Sequence, residues 1–162
     1  MAASTVPKTK RDGKIQIITA EHVLEVQYEA GDLSISNMKA GQTATTMILD
    51  RGDFHALRKT DFEPVAFSFT ATLTDVSDGT DALLLDACLG TGAWASDTSA
   101  FGANADCWGI KLTFTIEGTD HGDSADHTIE LTPCRIMSVD LSEGDPSTLS
   151  ISGEAYAAPV MT

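Results

Sequence analysis

Apolar side chains alternate strictly with small or polar ones over one ten-residue stretch of the chain. In residues 65–74, apolar residues occupy the odd positions, and small or hydroxyl-bearing residues occupy the even ones. A period of two residues places each set on one face of a β-strand. The segment therefore predicts a half-buried strand whose inner face packs on a core and whose outer face is rich in hydroxyl groups.

The same period recurs at both ends of the chain. Ile15 and Ile17 open a first strand, residues 108–116 alternate again, and residues 148–157 form the last alternating run. Between 129 and 141 the apolar set changes phase after Pro133 and once more at Met137. Because a phase change of one residue requires an extra residue in one strand, this region predicts a bulge or a bend.

Residues 21–36 predict a β-hairpin with its turn at Ala30–Gly31. Leu24 and Val26 lie on one face, which suits a core. The other face is acidic and carries Glu21, Glu25, Glu29 and Asp32.

The remaining segments are less regular. Residues 1–13 are small, polar and basic, and predict a flexible N-terminal arm ahead of a single domain over 14–162. Residues 37–62 contain Gly41, Gly52 and mixed charges, so we expect a long, partly extended loop with a short strand near Met47. Residues 90–106 form a Gly-, Ala- and Ser-rich loop, whose Trp94 and Phe101 either anchor a partner or pack back over the core.

One short helix interrupts the strands. An apolar stripe over 84–89 ends at Gly90, and Asp78 or Thr80 is positioned to cap a helix of about ten residues. A helix this short must pack on a sheet to be stable. The expected fold is therefore mainly β: an antiparallel β-sandwich or barrel with one short α-helix packed on its side and long loops.

Charge is distributed unevenly along the chain. The 162 residues carry 24 acidic and 10 basic side chains, a net charge of −14. Residues 1–59 hold seven acids and eight bases, and the rest hold 17 acids with only Lys111 and Arg135. Such acidity disfavours binding to phosphate backbones. No apolar run is long enough for a membrane span, and the first residues do not have the character of a secretory leader.

No pattern of reactive residues points to catalysis. The chain has four histidines but no G-x-S-x-G elbow and no phosphate-binding Gly-rich loop. Asp120, Asp123 and Asp126 with two histidines could hold a metal, yet turns are ordinarily rich in Asp and Gly. The spacing of Asp75 and its neighbours does not match a calcium loop. Three unevenly spaced cysteines indicate free thiols. We expect a non-enzymatic protein with no cofactor or metal.

The order of segments resembles the major tail tube protein of long-tailed, siphovirus-like bacteriophages. Over residues 13–90 the resemblance rests on an opening hairpin, a long loop leading into a central strand, and a single short helix; these segments read GKIQIITAEHVLEVQYEAGDLSISN, DRGDFHALRKTDFEPVAFSFTATLTD and SDGTDALLLDACLG. Near the C-terminus it rests on a closing pair of strands around an acidic turn, CRIMSVDLSEGDPSTLSISGEAYAAP.

The resemblance implies a structural virion protein. Proteins of this family form hexameric rings that stack into the tail tube, through which double-stranded DNA passes without specific binding. Their partners are further copies of themselves, the tape-measure protein, the tail terminator and the distal tail protein. The expected location is the virion tail, after assembly in the host bacterial cytoplasm. The type VI secretion tube protein shares this fold and is an alternative.

Two charged surfaces would serve such a tube. An acidic lumen repels phosphates, so the face bearing Glu21, Glu25, Glu29 and Asp32 is the candidate lumen surface, although an ordinary solvated sheet face has the same composition. Stacking of rings needs two unlike surfaces. The candidate contacts between rings are basic residues of the arm and of the 37–62 loop facing acidic residues near the C-terminus: Lys8, Lys10, Arg11, Arg51, Arg58 and Lys59 against Asp120, Asp123, Asp140, Glu143 and Asp145.

A second hypothesis belongs to a different class of protein. Trp94, Trp108 and the Asp-rich turns are compatible with a secreted or surface β-sandwich module that binds sugar or calcium. The free cysteines and the character of the first residues count against it.

Overall fold

The computed structural model describes residues 13–27, 33–39, 43–118 and 125–162. These segments are mainly β, with one α-helix, α1 (Leu84–Leu89), and a 3₁₀ turn over Gly92–Ser96. The strands are β1 (Gly13–Ile18), β2 (Val23–Glu25), β3 (Ser34–Ser36), β4 (Thr43–Asp50), β5 (Asp53–Phe62), β6 (Val65–Thr72), β7 (Ile110–Ile116), β8 (His127–Ser142), β9 (Thr148–Ala155) and β10 (Val160–Met161).

Eight of these strands form one antiparallel sheet. Seven lie in the order β2-β1-β7-β8-β9-β6-β3, and β10 pairs with β8. Residues 26 and 27, which follow β2, link β1 to β6 and so close the sheet on itself. The Val26 N–H donates to the carbonyl oxygen of Ile15, and the Thr72 N–H donates to that of Gln27, both at 2.9 Å. The result is a barrel-like sheet around a single core, which confirms the predicted fold class.

The core follows the alternation seen in the sequence. Alternate residues of β1, β6, β7 and β9 are buried, and so is Leu131 of β8. Burying one such aliphatic or aromatic side chain contributes about 1.5–3 kcal/mol relative to leaving it exposed. The main buried strand residues are Ile15, Ile17, Val65, Phe67, Phe69, Ile110, Leu112, Leu149 and Ile151.

The predicted hairpin over 21–36 is not formed. β2 pairs with β1, whereas β3 pairs with β6, so the two strands contact different parts of the sheet. The acidic and apolar faces of residues 24–26 are nevertheless as predicted, since Glu25 is exposed, whereas Leu24 is partly buried and Val26 is buried. The alternation specifies which face of a strand is buried, but it carries no information about which strand pairs with which. The predicted turn at Ala30–Gly31 lies outside the described residues.

The phase changes in β8 are bulges, as predicted. Residues Leu131 and Cys134 pair with Leu112 and Ile110, so the stretch around Pro133 holds one more residue than the facing stretch of β7. A second register shift against β9 lies between Ile136 and Ser138. β8 therefore pairs with β7 as far as Cys134 and with β9 from Cys134 onward.

The prediction of a long loop over 37–62 is wrong for its larger part. β4 and β5 form an antiparallel hairpin that pairs with no other described strand. Its turn uses positive φ angles at Arg51 (51°) and Gly52 (95°), the conformation of a type I′ turn. A register shift between Ile48 and Leu49 changes the apolar phase between Phe54 and Leu57, which hides the alternation in the sequence.

Helix α1 is shorter than predicted and begins later. Its N-cap is Leu83, and no side chain caps it by a hydrogen bond. The predicted cap Asp78 lies in the preceding turn, where its carboxylate accepts the N–H groups of Thr80 and Asp81 at 2.6 and 3.2 Å. The predicted stop at Gly90 is confirmed by its φ of 68°. A Cβ there would lie 2.7 Å from the ring of Trp108, so only glycine fits.

The aromatic residues of the 90–106 loop pack back on the core. Trp94 is fully buried, and the ring of Phe101 lies 5.7 Å from that of Tyr156. Asp97, whose side chain is also fully buried, lies 2.8 Å from Nδ1 of His22 and so ties this loop to the turn between β1 and β2. Of the two interpretations of this loop, the structure supports packing.

Candidate assembly surfaces

Several strand edges of the main sheet, including those of β2 and β10, have no partner strand among the described residues, and two others lie on one section of the sheet. β3 is the end of the sheet beyond β6, and β8 beyond Cys134 pairs only on its β9 side. Both edges belong to one four-stranded section, formed by β3, β6, β9 and residues 135–142 of β8. Unpaired backbone groups along an edge are a template for pairing with another strand.

Apolar side chains mark these two edges. Leu141 of β8 stands opposite Leu149, which is buried, yet Leu141 itself is 62% exposed because no strand lies beyond it. Ile35 of β3 stands opposite the buried Phe67 and is also only partly buried. A strand added at either edge would extend the core over these residues.

The outer face of the four-stranded section is rich in hydroxyl groups. Ser68 of β6 stands opposite Ser34 of β3 and Ser152 of β9, and the Ser138 and Ser152 hydroxyls lie 2.8 Å apart. No described element covers this face, which instead forms two open clefts. Its hydroxyl-bearing residues are Ser34, Ser36, Ser68, Thr70, Thr72, Ser138, Ser142, Thr148, Ser150 and Ser152.

The β4–β5 hairpin carries an exposed apolar face. Met47 pairs with Leu57 and Leu49 pairs with Phe54, and all four side chains are at least half exposed, from 50% to 67%. No described side chain of the hairpin belongs to the core or packs against it. Several large apolar side chains on one exposed strand face are typical of a surface that another molecule covers.

The candidate lumen residues are only partly within the described structure. Glu21 and Glu25 are exposed; the Glu25 carboxylate lies 2.5 Å from Nζ of Lys14, and the Glu21 carboxylate accepts the N–H of Thr98 at 3.3 Å. Glu29 and Asp32 lie outside the described residues. Of the two described acidic side chains, Glu25 therefore has its charge offset by Lys14.

The candidate contacts between rings are distributed over three places. Arg58 and Lys59 lie on β5 and Arg51 at the hairpin tip, all exposed. Glu143 and Asp145 lie in the exposed turn between β8 and β9, whereas Asp140 belongs to the hydroxyl-rich face, opposite Ser150. The structure brings none of these described basic residues into an ion pair with the described acids. Lys8, Lys10, Arg11, Asp120 and Asp123 lie outside the described residues.

A buried carboxylate near helix α1 was missed by sequence reasoning. Asp86 is 1% exposed and accepts hydrogen bonds from Ser77 Oγ (3.0 Å), Thr91 Oγ1 (2.6 Å) and the Asp78 N–H (3.0 Å). Burial raises its pKa, but these three hydrogen bonds outweigh burial and hold the pKa below its ordinary 3.8. All three groups that donate hydrogen bonds to the Asp86 carboxylate belong to this chain. The role of Asp86 is therefore to organise the loops around α1.

The described residues offer little for a small ligand. No three His, Cys, Asp or Glu side chains of the described segments are grouped so as to hold a metal ion. Trp94 is fully buried, and the partly buried Trp108 donates its indole N–H to the carbonyl oxygen of Ala87 at 2.8 Å. In the described part of the chain, no helix is long and apolar enough to cross a membrane.

Comparison with known proteins identifies the fold but no sequence family. No family model and no curated protein matches the chain. The PVC sheath/tube terminator of an extracellular contractile injection system matches over 99% of both chains, with a TM-score of 0.60 and 11% identity. A chain of the PVC sheath-tube complex matches over 98% of this chain and 93% of its own, with a TM-score of 0.60 and 10% identity.

A third similar structure comes from a different particle. The anti-feeding prophage cap, which terminates the tube, matches over 100% of this chain and 95% of its own, with a TM-score of 0.57 and 6% identity. At these identities the likeness establishes the architecture alone. The chain has the fold found in tube-terminating and sheath-tube assemblies of contractile injection systems.

Proposed function

We propose that this chain is a structural subunit that assembles with copies of itself into rings, and that the rings stack into a tail or injection tube. The observation that carries this proposal is the pair of open edges on one four-stranded section. Edge-to-edge pairing of β3 from one copy with residues 135–142 of β8 from the next uses two different surfaces. Repeated around an axis, such a head-to-tail contact closes into a ring.

The two edges are complementary in chemistry. Pairing would place Ile35 beside the apolar residues Val139 and Leu141, which continues the core from one copy to the next. On the opposite face, Ser34 and Ser36 would join the hydroxyl groups of β8. Covering a side chain as exposed as Leu141 contributes on the order of 1–2 kcal/mol at each contact, in addition to the new backbone hydrogen bonds.

Stacking of rings is assigned to the β4–β5 hairpin. The hairpin pairs with no described strand of the barrel, and Met47, Leu49, Phe54 and Leu57 are exposed on one of its faces. Of its basic residues, Lys59 lies on this apolar face, Arg51 at the tip and Arg58 on the opposite face. Glu143 and Asp145, and the acidic Asp120 and Asp123, supply opposite charge on an adjacent ring. The basic arm with Lys8, Lys10 and Arg11 is a further contact of the same kind. Opposite charges on two unlike surfaces favour one stacking direction.

The cargo and setting follow from the same proposal. Six copies in each ring, passage of double-stranded DNA, and contacts with tape-measure, terminator and distal tail proteins belong to the phage tail interpretation. The similar structures come from contractile systems, so a tube inside a sheath is a second setting for the same subunit. The two settings share the ring and the stacking contact.

Negative-stain electron microscopy of the purified chain tests the proposal. We expect rings or tubes of uniform width, and we expect Leu141→Lys to leave folded subunits that do not form them, because a buried lysine would oppose edge pairing. Val76→Lys, at an apolar side chain that is similarly exposed (59%) but lies outside the strands, leaves ring closure intact and is the matched control. A chain that stays monomeric at high concentration, with or without added nucleating tail components, would contradict the proposal.

A further inference from the structure

We infer that the hydroxyl-rich outer face of β3, β6, β9 and residues 135–142 of β8 forms the wall of the tube lumen, and that the acidic face around Glu25 lies on the outside. This inference rests on the proposed ring. It names the surface that the cargo meets, and it replaces the acidic face as the lumen surface.

The position of the protein bulk decides which face points inward. If the two open edges join neighbouring copies, the four-stranded section becomes part of a closed wall with two faces. One face carries Phe67, Phe69 and Ile151 and is covered by β1, β7 and α1 of the same subunit. A closed ring has less room inside than outside. The covered face with its second layer must therefore lie outward, and the uncovered hydroxyl face must line the interior.

Glu25 lies on a strand that is separate from the four-stranded section. β2, which carries Glu25, lies between β1, with which it pairs, and the Thr72 end of β6, where the carbonyl oxygen of Gln27 accepts the Thr72 N–H. The Glu25 side chain extends toward β1, which lies across the core from β9 in the strand order. Glu25 also pairs with Lys14, which suits an exterior surface where charges of both signs meet solvent.

The chemistry of the hydroxyl face suits a polyanion that must slide. Its single basic residue among the described ones, Arg135, stands opposite Glu154, so the two charges offset each other. Asp140 remains as the unbalanced charge and is negative. Without unpaired Lys or Arg, the wall offers no site that would bind phosphates by releasing their counterions. Short hydroxyl side chains keep the surface hydrated and present no deep apolar pocket to hold the cargo.

Cysteine protection in assembled tubes tests the assignment. The full chain is prepared with Cys107→Ser, since Cys107 is the exposed thiol and Cys88 and Cys134 are buried. Ser150→Cys then marks the hydroxyl face and Glu25→Cys the acidic face; both positions are exposed in the subunit. The probe is a maleimide carried on a globular protein too wide to enter the tube.

We expect both thiols to react in free subunits. In tubes, we expect the Ser150→Cys reaction to slow by an order of magnitude or more, while Glu25→Cys keeps its rate. Tubes in which Ser150→Cys keeps the rate of free subunits would overturn the lumen assignment and leave the proposed ring intact. If the Cys107→Ser parent forms no tubes, the proposed function itself fails, and this inference with it. Ser68→Cys, on the same face, serves if Ser150→Cys alone prevents assembly.

Discussion

The barrel and the β4–β5 hairpin use the same strand chemistry with opposite results. In the barrel, apolar residues such as Phe69 alternate with polar ones and are buried, at 3% exposure. In the hairpin, Phe54 occupies an equivalent place in an apolar strand face and is 67% exposed. The barrel satisfies its apolar pattern within one chain. Among the described residues nothing covers the apolar face of the hairpin, which is why we propose that a neighbouring ring covers it.

A pair of phenylalanine substitutions gives the largest contrast between the two regions. Phe69→Ala should lower the free energy of unfolding by about 3–5 kcal/mol, because it leaves a cavity in the core. Phe54→Ala should change it by no more than about 0.5 kcal/mol, because little is buried there. Chemical denaturation measures both.

Assembly should rank the same two variants differently. Phe54→Ala should yield stable subunits that form few tubes, since it removes part of the stacking surface. If Phe54→Ala destabilises the isolated subunit as much as Phe69→Ala does, the hairpin packs within its own chain and its apolar face is not a surface for stacking.

A buried carboxylate beside the barrel and an exposed one on the hairpin should also contribute differently to stability. Asp86→Asn, beside the barrel, should cost about 2 kcal/mol near neutral pH, because an amide cannot accept all three hydrogen bonds. Asp53→Asn, exposed on the hairpin, should change stability by no more than about 0.5 kcal/mol. Thermal or urea unfolding of each variant beside the parent chain gives these differences.

The stability that Asp86 contributes should decrease as the pH falls. Its pKa in the folded chain is below 3.8, so its contribution to stability is complete above that value and is lost as the pH falls through the lower folded pKa. The gap between the parent and Asp86→Asn should therefore narrow in acid. A gap that is constant from neutral to strongly acidic pH would show that Asp86 does not act through its charge.

How far the sequence predicts each region has a physical explanation. Alternation identifies the strands around Phe67 and Ile151 because the local sequence decides which side chains of a strand lie on its buried face. The pairing of β2 with β1 and of β3 with β6 depends on distant strands, and a period of two residues does not encode it. The β4–β5 hairpin was not predicted because the bulge near His55 shifts the phase of its apolar residues. The burial of Asp86 was not predicted because an acidic residue near a helix start is ordinarily exposed. Its hydrogen-bond donors come close to it only in the folded chain.

Charge reversal on the hairpin separates assembly from stability. Arg58→Glu combined with Lys59→Glu should leave subunit stability unchanged to about 0.5 kcal/mol, because both side chains are exposed. Tubes should shorten or fail to form, since the stacking surface would then face like charges. The charge-preserving pair Arg58→Lys and Lys59→Arg is the control, and tube length in micrographs is the measurement. Tubes of normal length from the reversed variant would remove these residues from the ring contact.

Thiol reactivity tests whether the apolar face of the hairpin is covered in tubes while the barrel thiols stay buried. Burial raises the pKa of Cys88 and of Cys134 to about 12, so both thiols are protonated near neutral pH and should react slowly in subunits and in tubes alike. With Cys107→Ser as background, Leu57→Cys should react quickly in subunits, because position 57 is 60% exposed, and slowly in tubes, because a neighbouring ring covers it. Labelling rates with a small maleimide dye measure both states. Equal rates for Leu57→Cys before and after assembly would mean that the apolar face of the hairpin stays open in the tube. In that case its four exposed apolar side chains would need a partner other than a second copy of this chain.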